Sequence, residues 1–448
     1  MHRPLDTTLR ALRQDLDTRL DPAAIERACH LAGHRWRDRQ LGPVPLIRWL
    51  LVQVLHRNTA LQHVSLMAGR TFTASALAHA RTRLPLAVLQ ALLKGMIEAT
   101  TPATTAQAGT WLGHRTLLVD GSTFSMPDTP ELQQHFGQPG AQAVGCGFPV
   151  AKLLTAFDAH TGLLLDARAM PLRTHELSQV QATLAAFRPG DVLVGDRGYC
   201  SYAHLALLRA RGAHAVLRVH QRQLVDFTPR RPHAQGKGPA GRPRSRWVGS
   251  LGPEDQVVVW RRPEARPEWM SAEAFAALPA ELMLRELRYT ITRPGSRTRT
   301  VTLVTTLIDA STYSAEALAE LYRGRWRVEQ NLRDLKQTLG MDVLKCRTVA
   351  GVLKELAAYA IVHNLVRLVM AEAASRQGVT PGRISFVDAI RWLMQARPGD
   401  DLPPLVVVPV RPDRIEPRVQ KRRPKQFPLM TRPRDELRKA LIEEQLTA

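Results

Sequence analysis

The stretch DVLVGDRGYCSYAHLALLRARGAHAVLRV, residues 191–219, decides the fold class. It opens on a short apolar run, DVLVGD (191–196), that stops at Gly195 and Asp196. A helical segment follows, SYAHLALLRARG (201–212), and then a second apolar run, HAVLRV (214–219). Short apolar runs bounded by turn residues read as strands, and a dozen residues of helical character between them read as a helix. Working outward, RTLLVD (115–120), KLLTAFD (152–158) and GLLLDARAM (162–170) read as three further strands, and ELSQVQATLAAF (176–187) as a helix. Two adjacent hairpin-like strands followed by β-α-β-α-β imply an α/β fold: a mixed sheet with helices on its faces.

The flanks read differently. Residues 1–105 are helical in pattern, with apolar positions at helical spacing in Leu46, Trp49, Leu50, Val54 and in Leu86, Leu89, Leu92, Leu93. Pro45 and Pro85 mark helix starts or breaks. Between them, TALQHVSLMAGRTFTASALAHARTRL (59–84) has the outline of a helix-turn-helix: a short helix, a turn at Gly69, a cap at Thr73, a second helix to Leu84. A plain helical hairpin fits the same residues equally well. Residues 221–305 are strand-rich (VVVWRR, RYTITR, RTVTLVTTL, the last two joined by a PGSRT turn) and open on RRPHAQGKGPAGRPRSR (230–246), with six basic residues and no acid. From Ser314 helices return, over 314–338, 348–376 and 384–396. The tail 411–439 carries eleven positive charges against four acids, net +7. The expected layout is an N-terminal helical domain (1–105), the first part of the sheet domain (106–220), a β-rich basic insertion (221–305), a helix completing the sheet domain (306–346) and a helical C-terminal region with its basic tail (347–448).

Composition narrows the classes. At about 150 residues per domain, 448 residues suggest roughly three domains. With 44% apolar and 23% charged residues the chain is not disordered. Lys and Arg number 62 against 40 Asp and Glu, a net +22, which points to a polyanionic partner: nucleic acid first, an anionic membrane surface second. No apolar run reaches the ~18 residues of a spanning helix, and the start MHRPLDTTLRALRQDLD lacks a secretion signal's apolar core. Cys29, Cys146, Cys200 and Cys346 are too far apart for a zinc finger or a disulfide framework, so a reducing, cytoplasmic setting is expected.

Chemistry concentrates at three acids. Asp120 closes LLVD and Asp196 closes VLVGD; an Asp at the end of a buried strand puts charge at the sheet rim, where ligands bind in α/β sheets. The third, Glu329, lies in LYRGRWRVEQNLRDLKQTLG (321–340). At ~100° per residue, Tyr322, Arg325, Glu329 and Lys336 share a helical stripe about 60° wide, beside an apolar face of Leu321, Val328, Leu332 and Leu335. A solvated face with paired charges has the same look, but Tyr322 is out of place there. Gly324 is costly inside a helix and is a candidate for its true start. Two strand Asp and one helix Glu can hold two hard divalent ions about 4 Å apart, the arrangement that cleaves phosphodiesters.

The signature Y-x2-R-x3-E-x6-K, intact as Tyr322, Arg325, Glu329 and Lys336, resembles that of insertion-sequence DDE transposases. LLVDGS and GDRGY look like that family's first and second Asp motifs. The resemblance implies an RNase H-like catalytic domain with a β insertion before the Glu helix, which fits the 133 residues between Asp196 and Glu329. It implies two Mg²⁺, or Mn²⁺ as a substitute, on Asp120, Asp196 and Glu329. It assigns Tyr322, Arg325 and Lys336 to DNA-end phosphates and to a hairpin intermediate. Terminal inverted repeats, target DNA and a second copy of the chain are the implied partners, on the bacterial nucleoid and away from membranes.

Other residues carry weaker signals. Trp247 and Trp260, in the basic insertion, are candidates to stack a base, although strand packing accounts for each more simply. His160, His175 and His363 lack ligand spacing; Glu176 is a candidate supporting carboxylate outside the catalytic set; Cys200 and Cys346 read as buried apolar residues. Three other functions compete with an active transposase: an element-derived DNA-binding protein with a dead site, a nuclease without strand transfer, and a Tyr-nucleophile recombinase. Intact carboxylates disfavour the first, the extra DNA-end residues and basic tail the second, and the place of Tyr322 on the carboxylate stripe the third.

Overall fold

The computed structural model describes residues 20–37, 39–104, 109–174, 179, 183–234, 242–291, 300–395, 401–410 and 429–447. His175, Glu176, the PGSRT turn, the middle of the basic loop and residues 411–428 of the tail lie outside these.

Among the described residues five helices precede the sheet: α1 (Pro22–Leu31), α2 (Pro43–Leu55), α3 (Leu61–Met67), α4 (Ala74–Arg83) and α5 (Leu86–Thr104). Pro22 and Pro43 occupy first-turn positions, where a missing N–H costs nothing. Gly69, at φ 64°, makes the turn between α3 and α4, and Thr73 Oγ1 accepts the Ala76 amide at 3.1 Å as the cap of α4. Turn, cap and second helix fall where the sequence placed them.

The sheet has nine strands: β1 (Thr116–Ser125), β2 (Val150–Asp158), β3 (Leu164–Pro171), β4 (Val192–Gly195), β5 (His214–Arg218), β6 (Arg246–Gly252), β7 (Asp255–Arg261), β8 (Glu281–Thr290) and β9 (Thr300–Thr305), in the order β3-β2-β1-β4-β5-β9-β8-β7-β6. β1, β4 and β5 run parallel, and every other pairing is antiparallel, so the sheet is mixed as expected. β9 pairs with β5, so the strands of 221–305 extend the one sheet. β6 was not anticipated: its sequence RWVGSLG holds two glycines and no clean alternation.

Alternation along the strands sorts the two faces. Leu118, Phe124, Val192, Val194, Val216 and Leu287 share one core with Leu318, Val328, Leu332 and Leu335 of the later helices. Leu117, Val119, Leu193, Ala215 and Leu217 face the other way, onto α7 (Tyr202–Ala210). Each of the Leu, Val and Phe side chains, fully buried, contributes about 1.5–3 kcal/mol. Short α6 (Pro130–Phe136) and α8 (Ala272–Ala276) sit in connections. The C-terminal helices are α9 (Ala315–Arg323), α10 (Arg327–Arg333), α11 (Val349–Gln377), α12 (Phe386–Gln395) and α13 (Arg434–Thr447). α11 amends one expectation, because by length and composition it is apolar enough to cross a membrane. Its most apolar window is 72% buried inside the protein, which makes it the central helix of the core.

Two histidines in these cores are held neutral. His204 Nδ1 lies 2.8 Å from the Tyr199 carbonyl, and His363 Nε2 lies 3.0 Å from the Gly162 carbonyl. Burial pushes His204 down to about 4; burial, with help from Arg367, pushes His363 down to about 3. The unfolded chain protonates both near ~6.5, so below that pH it binds more protons than the folded chain. Stability is therefore expected to fall as pH drops from about 6.5 toward 4, by up to ~1.4 kcal/mol per pH unit for each histidine. Melting temperatures measured across this range should show a shallower slope for His363→Gln; an unchanged slope would refute the assignment.

Candidate active site at the carboxyl rim of the sheet

The parallel registers build the site. Val119 of β1 stands beside Gly195 of β4, and Gly195 beside Leu217 of β5. The next residues along the three strands are Asp120, Asp196 and Arg218. By alternation all three belong to the face of Leu118, Val194 and Val216, which carries α9 and α10. Gly195 permits the close strand contact: a Cβ there would stand 3.1 Å from the Leu217 side chain.

The signature segment crosses this face. Ser314 caps α9, its Oγ accepting the Ala317 amide at 3.2 Å, so the helix starts well before Gly324 and the expectation of a start at that glycine is corrected. Gly324–Trp326 form a 3₁₀ turn between α9 and α10, and Asp334–Thr338 a π turn after it. Three residues after Tyr322, Arg325 stands over its ring, the guanidinium carbon 6.0 Å from the ring centre. Tyr322 itself lies one turn after Leu318 on the buried face of α9 and is 8% exposed. Burial pushes its phenol up; Arg325 opposes this and Asp196 adds to it.

Arg325 links the acids. It lies 3.1 Å from Glu329 and 3.7 Å from Asp120. Burial alone would lower its pKa, but Tyr322, Asp196, Asp120 and Glu329 together raise it. Asp120 takes the Gly121 amide on Oδ1 at 2.8 Å, and its carbonyl accepts the Thr155 hydroxyl at 2.9 Å. Burial, above all, pushes the Asp120 carboxyl up to about 6; Asp196 and Glu329 add to this, while the Gly121 amide and Arg325 oppose it. Lys336, in the π turn, donates to Ser122 Oγ at 3.0 Å, and burial lowers its pKa. Beyond the turn, the Ser125 amide donates to the Asp342 carbonyl at 3.0 Å and the Leu344 amide to the Ser125 carbonyl at 2.9 Å, which fastens the end of the segment to β1. π turns cluster at functional sites because one extra residue re-aims the side chains that follow.

Three carboxylates without thiolate or imidazole are hard donors, so their chemistry fits Mg²⁺ or Mn²⁺. Among the described residues no three acids, histidines or cysteines form a ready-made nest, and Arg325 supplies the positive charge between Asp120 and Glu329.

The structure thus brings together Asp120, Asp196, Tyr322, Arg325, Glu329 and Lys336, and adds two residues the sequence reading passed over. Ser122 was hidden in the turn-like GST after Asp120. Arg218 closes HAVLRV as Asp196 closes VLVGD, and that parallel was the signal available. The tryptophans lie elsewhere. Trp260 is 7% exposed and donates its indole N–H to Glu286 at 2.9 Å, so no face is left for a base and that expectation is corrected. Trp247, on β6, is half-buried, and its indole nitrogen finds no acceptor among the described residues. His363 is a packing residue, and burial pushes the Cys200 and Cys346 thiols up to about 12.

Comparison with known proteins identifies the family. Residues 111–365 match the family described as Transposase DDE domain. The chain is 26% identical over 443 residues to the transposase InsG for insertion sequence element IS4 of Escherichia coli (strain K12), covering 91% of this chain and 92% of that protein. It is 24% identical over 196 residues to the putative transposase InsZ of the same organism, covering 42% of this chain and 65% of that protein. A piggyBac transposase synaptic complex with hairpin DNA is a weak structural likeness, at TM-score 0.42 and 10% identity, over 88% of this chain and 80% of that one. With more than half its length matched, over the span that holds all three acids, the chain belongs to the DDE-domain family of insertion-sequence transposases.

Proposed function

We propose that this protein binds the terminal inverted repeats of a mobile element, cleaves the ends by metal-dependent phosphodiester hydrolysis through a hairpin, and joins them to target DNA. The observation that carries the reading is the row of Asp120, Asp196 and Arg218 on three parallel strands, facing Arg325 and Glu329 on the helix. Within it, β1, β4 and β5 and the α9–α10 segment act as an RNase H-like catalytic unit, with 221–305 as its insertion. Asp120, Asp196 and Glu329 would hold the ions. Bound there, two Mg²⁺ supply Lewis acidity that activates a water or 3′-OH and stabilises the leaving oxygen.

The chain's own side chains do the rest. Arg325 and Arg218 present guanidinium forks to non-bridging phosphate oxygens, and Lys336 adds a point charge from the side of Ser122. Tyr322 gives Arg325 a buried platform. The helical 1–105 domain is the end-binding unit: a groove of about 1160 Å³ there is lined by Arg35, Arg37, Arg39 and Arg83 with Trp36 and Phe72. Trp247 is the remaining candidate for base stacking. Two ends must be joined together, so the working complex is a homodimer, acting on nucleoid DNA in the cytoplasm.

The test is incubation with Mg²⁺ and DNA carrying the sequences that bracket the gene, with products resolved on a denaturing gel. Nicked, hairpin and joined products are expected. Cleavage without joining would leave a nuclease, and binding without cleavage a dead-site DNA-binding protein. With a net charge of +22, affinity should also fall steeply with salt, on the order of 10³-fold or more between 50 and 200 mM for six or more phosphate contacts. A flat salt response would contradict a nucleic-acid partner.

A further inference from the structure

Arg367 is a charged residue in the middle of α11 and is 5% exposed. One nitrogen of its guanidinium, Nη2, donates to both Asn331 Oδ1 and Asp334 Oδ2, each at 2.8 Å. Asn331 sits in the last turn of α10, and Asp334 is the first residue of the π turn. One side chain thus spans the point where the helix changes pitch. Two surfaces hold the guanidinium in place. Its carbon lies 5.0 Å from the Phe386 ring centre, and the β2–β3 turn closes the other side, where a Cβ on Gly162 would stand 3.0 Å away. One helical turn earlier, His363 and Asn364 grip the same β2–β3 turn, Asn364 making two hydrogen bonds to the backbone of Leu164.

Stability does not account for this pair, because well-packed apolar residues in place of a buried ion pair are often neutral or stabilising. What a planar guanidinium clasped between a ring and a turn does provide is direction for its Nη2 protons. Glu329 lies two residues before Asn331, and Lys336 two residues after Asp334. Any rotation selected at the pitch change is delivered to both. We propose that Arg367 is a positioning residue, which fixes the π turn so that Glu329 and Lys336 face the β1 rim together. The proposal rests on the reading of Asp120, Asp196 and Glu329 as the catalytic acids.

The experiment compares full-length wild type, R367K and E329Q by end-DNA affinity, melting temperature and single-turnover cleavage rate. Lysine keeps the charge but lacks the planar group that the Phe386 ring and the Gly162 turn hold in one orientation. R367K is expected to bind end DNA with unchanged affinity and melt normally, yet cleave about 10- to 100-fold more slowly, the scale of a 1 Å misplacement. Wild-type cleavage by R367K, or a loss matched by equal losses of affinity and melting temperature, would overturn the proposal. Should R367K not fold, D334N, which keeps an acceptor of the same size, is read by the same two criteria. E329Q separates the two claims: cleavage by E329Q sinks the site reading, whereas an inert E329Q beside a fully active R367K sinks the positioning role alone.

Discussion

Alanine at Asp120, Asp196 or Glu329 is expected to abolish DNA cleavage and leave DNA binding intact. Each acid is one of three donors for the proposed ions, and Lewis-acid stabilisation is worth several kcal/mol, so the loss should reach about 10³-fold or more. Binding should survive because it rests on cations spread over the chain, 62 Lys and Arg in all. Asp120 allows a sharper test. Its carboxyl is pushed up to about 6, so between ~3.9 and about 6 the folded state holds a proton that the unfolded state has released. Stability therefore declines as pH rises through that window, and at pH 7 the charged carboxylate destabilises the fold. Asp120→Asn removes that charge. It should melt at a higher temperature than wild type at pH 7 and yet be inert, the trade expected of a residue kept for chemistry. Cleavage at the wild-type rate by any of these variants would remove that residue from the site.

Much of this site was legible in the sequence because it depends on two periods. Asp120 and Asp196 each follow a short apolar run, and period-2 alternation fixes which face their side chains take. Tyr322, Arg325, Glu329 and Lys336 fall on one stripe because the helix period is close to 3.6. What the sequence did not show is departure from those periods. The 3₁₀ turn at Gly324–Trp326 interrupts the helix between Tyr322 and Glu329, and the π turn at Asp334–Thr338 carries Lys336 to Ser122. Both reflect tertiary demands on backbone pitch, which a residue count at 100° per step cannot contain. β6 was missed for a related reason. An edge strand with two glycines is held by its neighbour β7, and its own pattern announces little. Trp260 misled because a tryptophan beside arginines looks the same in sequence whether its ring faces solvent or, as here, a buried glutamate.

Arg325→Ala and Lys336→Ala are expected to retain some first-strand nicking but to lose hairpin formation or second-strand cleavage. Neither side chain can hold a metal, since both are cationic at neutral pH. Neutralising them should leave cation binding intact or tighten it, because Arg325 now offsets charge on Asp120 and Glu329. The loss falls on DNA geometry. A terminal phosphate held by one fork fewer drifts, and a drift of about 1 Å costs on the order of 100-fold in the step that needs it. Arg325→Lys tests the fork itself: it keeps the charge between the acids but cannot grip two oxygens, and should recover only part of the hairpin yield. Tyr322→Phe should be milder, since it can delete at most one hydroxyl hydrogen bond to the DNA end, worth about 0.5–1.5 kcal/mol, and preserves the buried ring beneath Arg325. Arg218→Ala should resemble Arg325→Ala if the row at the rim contacts the same phosphates. The measurement is a time course of nicked, hairpin and fully cut ends for each variant. Wild-type kinetics for Arg325→Ala and Lys336→Ala together would make the stripe a set of paired charges, with Glu329 alone keeping a role in the chemistry.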